Sequence, residues 1–213
     1  MSKITSYCIK EKQPSSNINL TLSKNMRTLK LQVQMTIDGF IAGTNGEMDW
    51  MDFNWDDTLK KYVSDLTEPV DTIVLGRNLA QGFIPHWAGV AANPDDPEVL
   101  AGKKFSETPK VVFSKTLAKS EWENTVIANG EITDEIKRLK AQTGGDIIAY
   151  GGGNFVSNLI KHNLIDEYHL FVNPTAIGRG MPIFAGLAAN LNLSLVKATA
   201  FECGIVVLCY KPQ

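Results

Sequence analysis

The sequence predicts an α/β protein whose mainly parallel sheet is covered by helices on both faces. Short all-apolar runs recur at Ile73–Leu75, Val111–Phe113, Val126–Ile127 and Ile147–Ala149, as expected of strands buried on both faces. Segments with apolar residues at helical spacing fall between strand signals, the alternation that builds parallel sheets. The last two strand-like segments, Leu191–Val196 and Ile205–Tyr210, lack a helix between them and suit an antiparallel pair at one edge. About eight strands and at least three helices are expected.

Residues 1–26 are rich in Ser, Asn and Lys and read as a flexible tail or leader ahead of the fold. Within them Ile18, Leu20 and Leu22 alternate with polar residues, which leaves an edge-pairing arm open. Residues 27–213 read as one domain. In the first strand Leu29, Leu31, Val33 and Met35 alternate with Lys30, Gln32 and Gln34, which predicts one buried face. It ends at Asp38–Gly39, and a glycine-rich loop follows. Asn54 is the expected helix cap, with Asp56 and Asp57 favourable in the first turn. Leu59, Tyr62, Val63 and Leu66 mark the helix, which Glu68–Pro69 closes.

After the strand ending at Gly76, residues 84–109 form the longest stretch without a clear pattern. With Pro85, Pro94 and Pro97 it is expected to be a surface excursion near the active cleft. Ile132, Ile136 and Leu139 mark a helix that stops at Gly144–Gly145. Val156, Leu159 and Ile160 mark another. Tyr168–Val172 reads as a strand.

The chain has 213 residues, a formal charge of -2 and a pI near 5.9, without the basic stripe of a nucleic-acid-binding protein. No apolar run reaches membrane length. Cys8, Cys203 and Cys209 contain no C-x-x-C pair, so no zinc ribbon is written here, and a reducing cytoplasm is the expected setting. His86, His162 and His169 lack metal-ligand spacing and are expected to be structural.

Chemistry enters at Tyr150–Gly151–Gly152–Gly153–Asn154–Phe155, which reads as strand, glycine turn and helix. Glycine lets the backbone approach a phosphate, and the helix start offers free N–H groups and a positive dipole end. A turn that merely packs helix on strand satisfies the same residues. A Rossmann fingerprint does not fit, because the sixth position is Val156 and the turn comes late in the chain. Gly76–Arg77–Asn78 and Ser114–Lys115–Thr116 also follow buried strands directly. In a parallel sheet these three loops converge on one edge, where cationic donors favour a 2′-phosphate and so NADP over NAD. Trp50, Phe53 and Trp55 are either an aromatic wall for a flat heterocycle or ordinary core. Asp38, beside the glycine loop, and Asp57, on the following helix, are the candidate carboxyl groups for orienting an acceptor or relaying a proton. Each has a plainer reading: Asp38 as a turn former, Asp57 as a helix-dipole residue.

Together these residues resemble the dihydrofolate-reductase-like superfamily, and within it stand-alone relatives of the RibD C-terminal reductase domain. The likeness rests on Thr36–Ala42, Val74–Arg77, Val112–Leu117 and Tyr150–Gly153, with the most distinctive stretch at Leu164–Leu170 and Pro174–Phe184. It implies a three-layer α/β/α fold with an eight-stranded sheet, and an NADPH-dependent oxidoreductase, often a homodimer. It places Ala42 by the nicotinamide and Asp38 on the substrate side. It puts Gly76, Arg77 and Asn78 at the phosphates, Ser114, Lys115 and Thr116 near the 2′-phosphate, and Gly151–Phe155 at the diphosphate. The implied activity is like that of 5-amino-6-(5-phosphoribosylamino)uracil reductase of riboflavin biosynthesis, on a pterin-like or ribosylamino-pyrimidine substrate. Dihydrofolate reduction proper and non-catalytic dinucleotide binding are the alternatives. Leu79 stands where the family usually has Thr, and the zinc deaminase motifs of the bifunctional enzyme are absent.

Overall fold

Strand β1 (Leu29–Thr36) lies in the middle of the sheet, which explains a departure from the sequence expectation. The alternation Leu–Lys–Leu–Gln–Val–Gln–Met suits a half-exposed strand, yet Lys30 and Gln32 are as buried as their apolar neighbours. With β5 on one side, β6 on the other and helices above and below, Lys30 and Gln32 are closed off from water, while Gln34 further along is half-buried. The structure is a computed structural model, and it describes residues 26–51 and 54–213. Phe53 and the alternating residues Ile18, Leu20 and Leu22 lie outside the described residues.

The order after β1 is α1 (Asp57–Thr67), β2 (Val70–Gly76), α2 (Arg77–Ala92), α3 (Val99–Glu107), β3 (Lys110–Phe113), β4 (Thr125–Ala128), α4 (Ile132–Lys140), β5 (Asp146–Tyr150), α5 (Gly153–Lys161), β6 (Glu167–Asn173), β7 (Leu193–Ala200) and β8 (Val206–Pro212). The eight strands form one sheet in the order β4-β3-β2-β5-β1-β6-β8-β7. Strands β4 to β6 in that row are parallel, while β8 runs antiparallel to both β6 and β7, giving the expected edge pair.

Two cores follow from this layering. On one face Leu31, Val33, Val74 and Ala149 pack under Ile136 and Leu139 of α4 and Val156, Leu159 and Ile160 of α5. On the other, Ile73, Leu75, Val112 and Phe171 pack under Leu59 of α1, Ala80 and Ile84 of α2 and Phe105 of α3.

Two local expectations are corrected. Residues 84–109 are mostly helical rather than an excursion: α2 runs through Pro85, and α3 packs beside it. Burial outweighs proline here, because Phe83, Trp87, Phe105 and Tyr150 form a continuous aromatic cluster that fixes both helices on the sheet. The cap of α1 is Asp56 instead of Asn54. Its carboxylate accepts from the Leu59 N–H at 2.9 Å and from the Cys203 N–H at 3.0 Å, so one side chain caps the helix and ties it to the β7–β8 hairpin.

The amino ends of the strands are closed by charge. Lys30 pairs with Asp146 at 2.8 Å, Lys140 with Asp166 at 2.6 Å, and Arg27 with Asp71. The carboxyl ends carry the glycine loops.

Candidate active site

Neighbouring strands β2 and β5 send their following helices to opposite faces of the sheet. Helix α2 leaves Gly76 toward the α1/α3 face, and α5 leaves Gly152 toward the α4 face. Such a switch opens a crevice beyond the carboxyl ends of the strands, the usual ligand position in parallel sheets. Two of the three glycine-bearing or cationic loops flank it directly.

The loops are fitted to each other. A Cβ at Gly76 would lie 2.8 Å from the Cβ of Phe155, so only glycine lets the start of α2 pass the first turn of α5. Gly152 has φ +91°, a left-handed conformation that turns the chain from β5 into α5. A Cβ at Gly151 would meet nothing within 4 Å. No side chain caps α5, which leaves its first N–H groups open beside this turn. The combination of open backbone and helix start suits an anionic group.

Arg77 joins the second and third loops: its guanidinium donates to the Thr116 hydroxyl at 2.9 Å and more weakly to Asn78 Oδ1 at 3.4 Å. Ser114 shapes its own loop, its hydroxyl oxygen accepting from the Thr116 and Leu117 N–H groups at 3.2 and 3.0 Å. The Lys115 ammonium turns toward the β4–α4 connection, where it meets Gly130 O and Glu131 Oε1 at 3.0 and 2.8 Å. That contact holds the Glu131 carboxyl below its ordinary value. Arg77 and Thr116 are thus brought together, with Lys115 at the outer rim. Asn154 is exposed on the first turn of α5, and Phe155 is buried against Phe113.

Beyond β1 the chain is zipped to a later loop. Ile41 N–H donates to Met181 O, and Met181 N–H to Ala42 O at 2.8 Å, which buries Ala42. The Asp38 carboxylate accepts from the Thr36 hydroxyl at 2.5 Å and from the Ile177 and Gly178 N–H groups at 3.1 and 2.7 Å. These donors, the threonine first, lower its pKa, so it is ionised at neutral pH and anchors the 177–178 loop. Asp57 stands exposed at the start of α1.

The aromatic residues separate. Trp50 lines a small cleft of about 250 Å³ with Glu47, Asp49, Ile177 and Arg179, and its buried indole N–H meets no acceptor among the described residues. Trp55 stacks on Phe171 at 6.4 Å in the core. Arg179 and Glu47 were not legible as site residues, because nothing in their local sequence marks the loop contact that brings them to Trp50. Gln32 and Gln34 were also missed. Their signal is polarity on a strand that is central and therefore doubly covered.

A broader depression of about 560 Å³ lies at the opposite, amino end of the strands, between Arg27, Asp71, Lys104 and Thr108. Three of its charged groups are already engaged: Arg27 with Asp71, Thr72 and Gly145 O, Lys104 with Val70 O. The carboxyl end, with open backbone donors, is the better site despite its smaller cleft.

The His169 side chain lies on the α1 face, its Nε2 2.6 Å from Glu167 Oε1 and its Nδ1 2.7 Å from the Tyr62 hydroxyl. The carboxylate fixes the proton on Nε2, so the tyrosine donates to Nδ1. Burial lowers the imidazole's basicity, partly opposed by Glu167. Cys209 Sγ completes a close group, but Lys211 holds the other oxygen of Glu167 at 3.1 Å, and the network is closed by internal bonds.

The family model for the RibD C-terminal domain matches residues 27–207. The chain belongs to the RibD C-terminal domain family. The chain is 32% identical over 194 residues to the Bacillus subtilis protein YyaP, covering 90% of this chain and 98% of that one. A Shewanella sp. PV-4 protein named for riboflavin biosynthesis superposes with a TM-score of 0.67 at 25% identity, covering 88% of this chain and 99% of that one. The RibD C-terminal fold is also shared with Enterococcus faecalis dihydrofolate reductase, solved with NADP(H), at a TM-score of 0.58 and 16% identity over 87% of this chain and 96% of that one. The three-layer, dihydrofolate-reductase-like architecture expected from the sequence is therefore the one found. Membership in this RibD C-terminal family makes the chain one of a group of reductase-like domains. No helix among the described residues is long and apolar enough to cross a membrane.

Proposed function

We propose that the chain is an NADPH-dependent reductase of a small flat heterocycle, pterin-like or of the ribosylamino-pyrimidine type. The observation that carries the reading is the switch between β2 and β5, which puts the Gly76–Arg77 and Gly151–Gly153 loops on either side of one crevice. Gly151 and the start of α5 would hold the diphosphate by backbone donors, since a Cβ there would occupy free space. Arg77 with Asn78, and Thr116 with Ser114 and Lys115 at the rim, would receive the 2′-phosphate end. Ala42, on the zipped loop beyond β1, is the residue proposed beside the nicotinamide.

The cofactor supplies hydride when bound. The protein's part is to orient the acceptor and govern a proton. Asp38, ionised and committed to the 177–178 loop, fixes the wall of the Trp50 cleft rather than giving up a proton. Of the two candidate aspartates, this leaves Asp57, exposed at the start of α1, for proton delivery through water.

The test is titration with NADPH followed by NADPH consumption in the presence of candidate heterocycles. A melting temperature unmoved by millimolar NADPH and NADH would overturn the cofactor assignment. Turnover of dihydrofolate would narrow the reading to folate reduction. We also propose a homodimer through the outer strand β7, whose Leu195 and Val196 are 56% and 55% exposed. A monomeric mass by light scattering would refute it.

A further inference from the structure

Three side-chain amides sit on one face of the sheet where helices cover it, and they leave hydrogen-bonding atoms unused. Gln32 and Gln34 occupy alternate positions of β1 on the α1 side, and Asn173 ends β6 beside them. The helices on this face are anchored on different strands. Helix α1 covers β6, with Tyr62 against His169 and Phe171. Helix α2 covers β5, with Phe83 stacked on Tyr150 at 5.2 Å. Strand β1 lies between β5 and β6, so its glutamines lie between the strands on which the two helices are anchored.

The orientation of the amides follows from fixed backbone groups. Asn173 Nδ2 donates to Phe171 O at 3.1 Å and Met35 O at 3.3 Å, and carbonyls cannot be turned round. Its third partner at 2.9 Å must then be the oxygen of Gln34, which leaves the Gln34 Nε2 pointing elsewhere. The two amides therefore share one hydrogen bond and do not make the second. Asn173 Oδ1 and Gln34 Nε2 both remain without a partner among the described residues, as does Gln32 Oε1. Asn173 is 1% exposed and Gln32 7% exposed, so water does not satisfy them from the surface. Buried polar groups are rarely left so, and each such atom asks for a missing partner.

We propose that Gln34, Asn173 and Gln32 form the recognition edge for the hydride acceptor, reading a ring amide by donating to its carbonyl and accepting from its N–H. The inference rests on the reductase reading of the crevice and adds the residues that select the acceptor. A free donor beside free acceptors matches a lactam edge and rejects an N-alkylated one, whose methyl groups would bury the acceptors unpaired.

The probes are 5,6-diaminouracil and its 1,3-dimethyl analogue, titrated against the full chain with and without NADPH, with NADPH binding measured separately. The wild-type chain is expected to bind the diaminouracil at least tenfold more tightly than the dimethyl ring. Gln34→Leu should abolish that preference while leaving NADPH affinity within twofold and the melting temperature close to wild type, because it removes an unpaired buried nitrogen together with the acceptor for Asn173, whose amide keeps two backbone carbonyls. Gln34→Glu keeps the acceptor for Asn173 but removes the donor, and should lose the preference in the same way. If Gln34→Leu and Gln34→Glu keep the preference, or the wild-type chain binds neither ring, the proposal is overturned. If NADPH fails to bind while the preference and its loss are seen, the recognition edge stands and only the cofactor reading falls.

Discussion

Replacing Gly151 by alanine separates a glycine kept for packing from one kept for a ligand. A methyl group at this position meets no atom within 4 Å, and the backbone is not in the left-handed region. Nothing in the folded chain resists the substitution. Losing a glycine also restricts the unfolded chain, which stabilises by about 0.4–1 kcal/mol. For a domain of this size that is a rise in melting temperature of roughly 1–4 °C. The same methyl group would fill the space that a phosphate needs to reach the backbone donors. Losing one charge-assisted hydrogen bond costs about 1.5–3 kcal/mol, or about a tenfold to hundredfold loss of affinity. The assay is titration of NADPH by nicotinamide fluorescence, beside a thermal melt of the same sample. The expected result is a chain that melts no lower than wild type and binds NADPH at least tenfold more weakly. Wild-type affinity would refute the assignment of this space to the diphosphate. A lowered melting temperature would show that the turn serves packing.

Gly76→Ala should behave in the opposite way: its Cβ would press on Phe155 at 2.8 Å, and overpacking of this kind destabilises by about 1–3 kcal/mol in chemical denaturation. Arg77→Ala should weaken NADPH by about tenfold or more and NADH by much less, as competitive titrations would show, because only NADPH carries the 2′-phosphate. Stability should fall as the solution is acidified below about pH 6.5, because burial lowers the His169 pKa and the unfolded chain takes up the proton first. The loss should continue until the pH passes the folded pKa and then level off. In His169→Gln that portion of the pH dependence should vanish from a series of urea melts.

The layered fold was legible because its strands are short apolar runs separated by helical periodicity, a pattern that needs no tertiary information. The errors have identifiable tertiary causes. Pro85 argues locally against a helix, yet the stacking of Phe83 on Tyr150 and of Trp87 on Phe105 makes that helix worth forming. Asn54 and Asp56 are equally good caps in sequence, and Asp56 takes the role because its second oxygen reaches the Cys203 N–H across the sheet. The strand β1 pattern misleads because alternation implies solvent on one face, whereas strand order puts β1 under helices on both. In the candidate site, the glycine loops were legible from their place after strands. The contact between Arg77 and Thr116 was not, since it joins loops 39 residues apart.

The two ends of the sheet divide stability from binding, and parallel topology causes the division. Every strand from β4 to β6 in the sheet points the same way, so all the helix starts that follow strands open at one end. That end exposes unpaired N–H groups, and a loop that caps them with side chains would also block a ligand. Here α2 and α5 both begin on glycine caps without a side-chain bond. The amino end has no such constraint, and there the chain closes itself: Asp166 accepts the Leu29 N–H at 2.7 Å and pairs with Lys140, and Arg27 reaches the Gly145 carbonyl. The same logic accounts for Gln32 and Gln34. They lie on the strand between those that α1 and α2 pack on, and each keeps one buried atom without a partner among the described residues. Such atoms lower stability, and the proposed recognition edge gives them a partner in the acceptor.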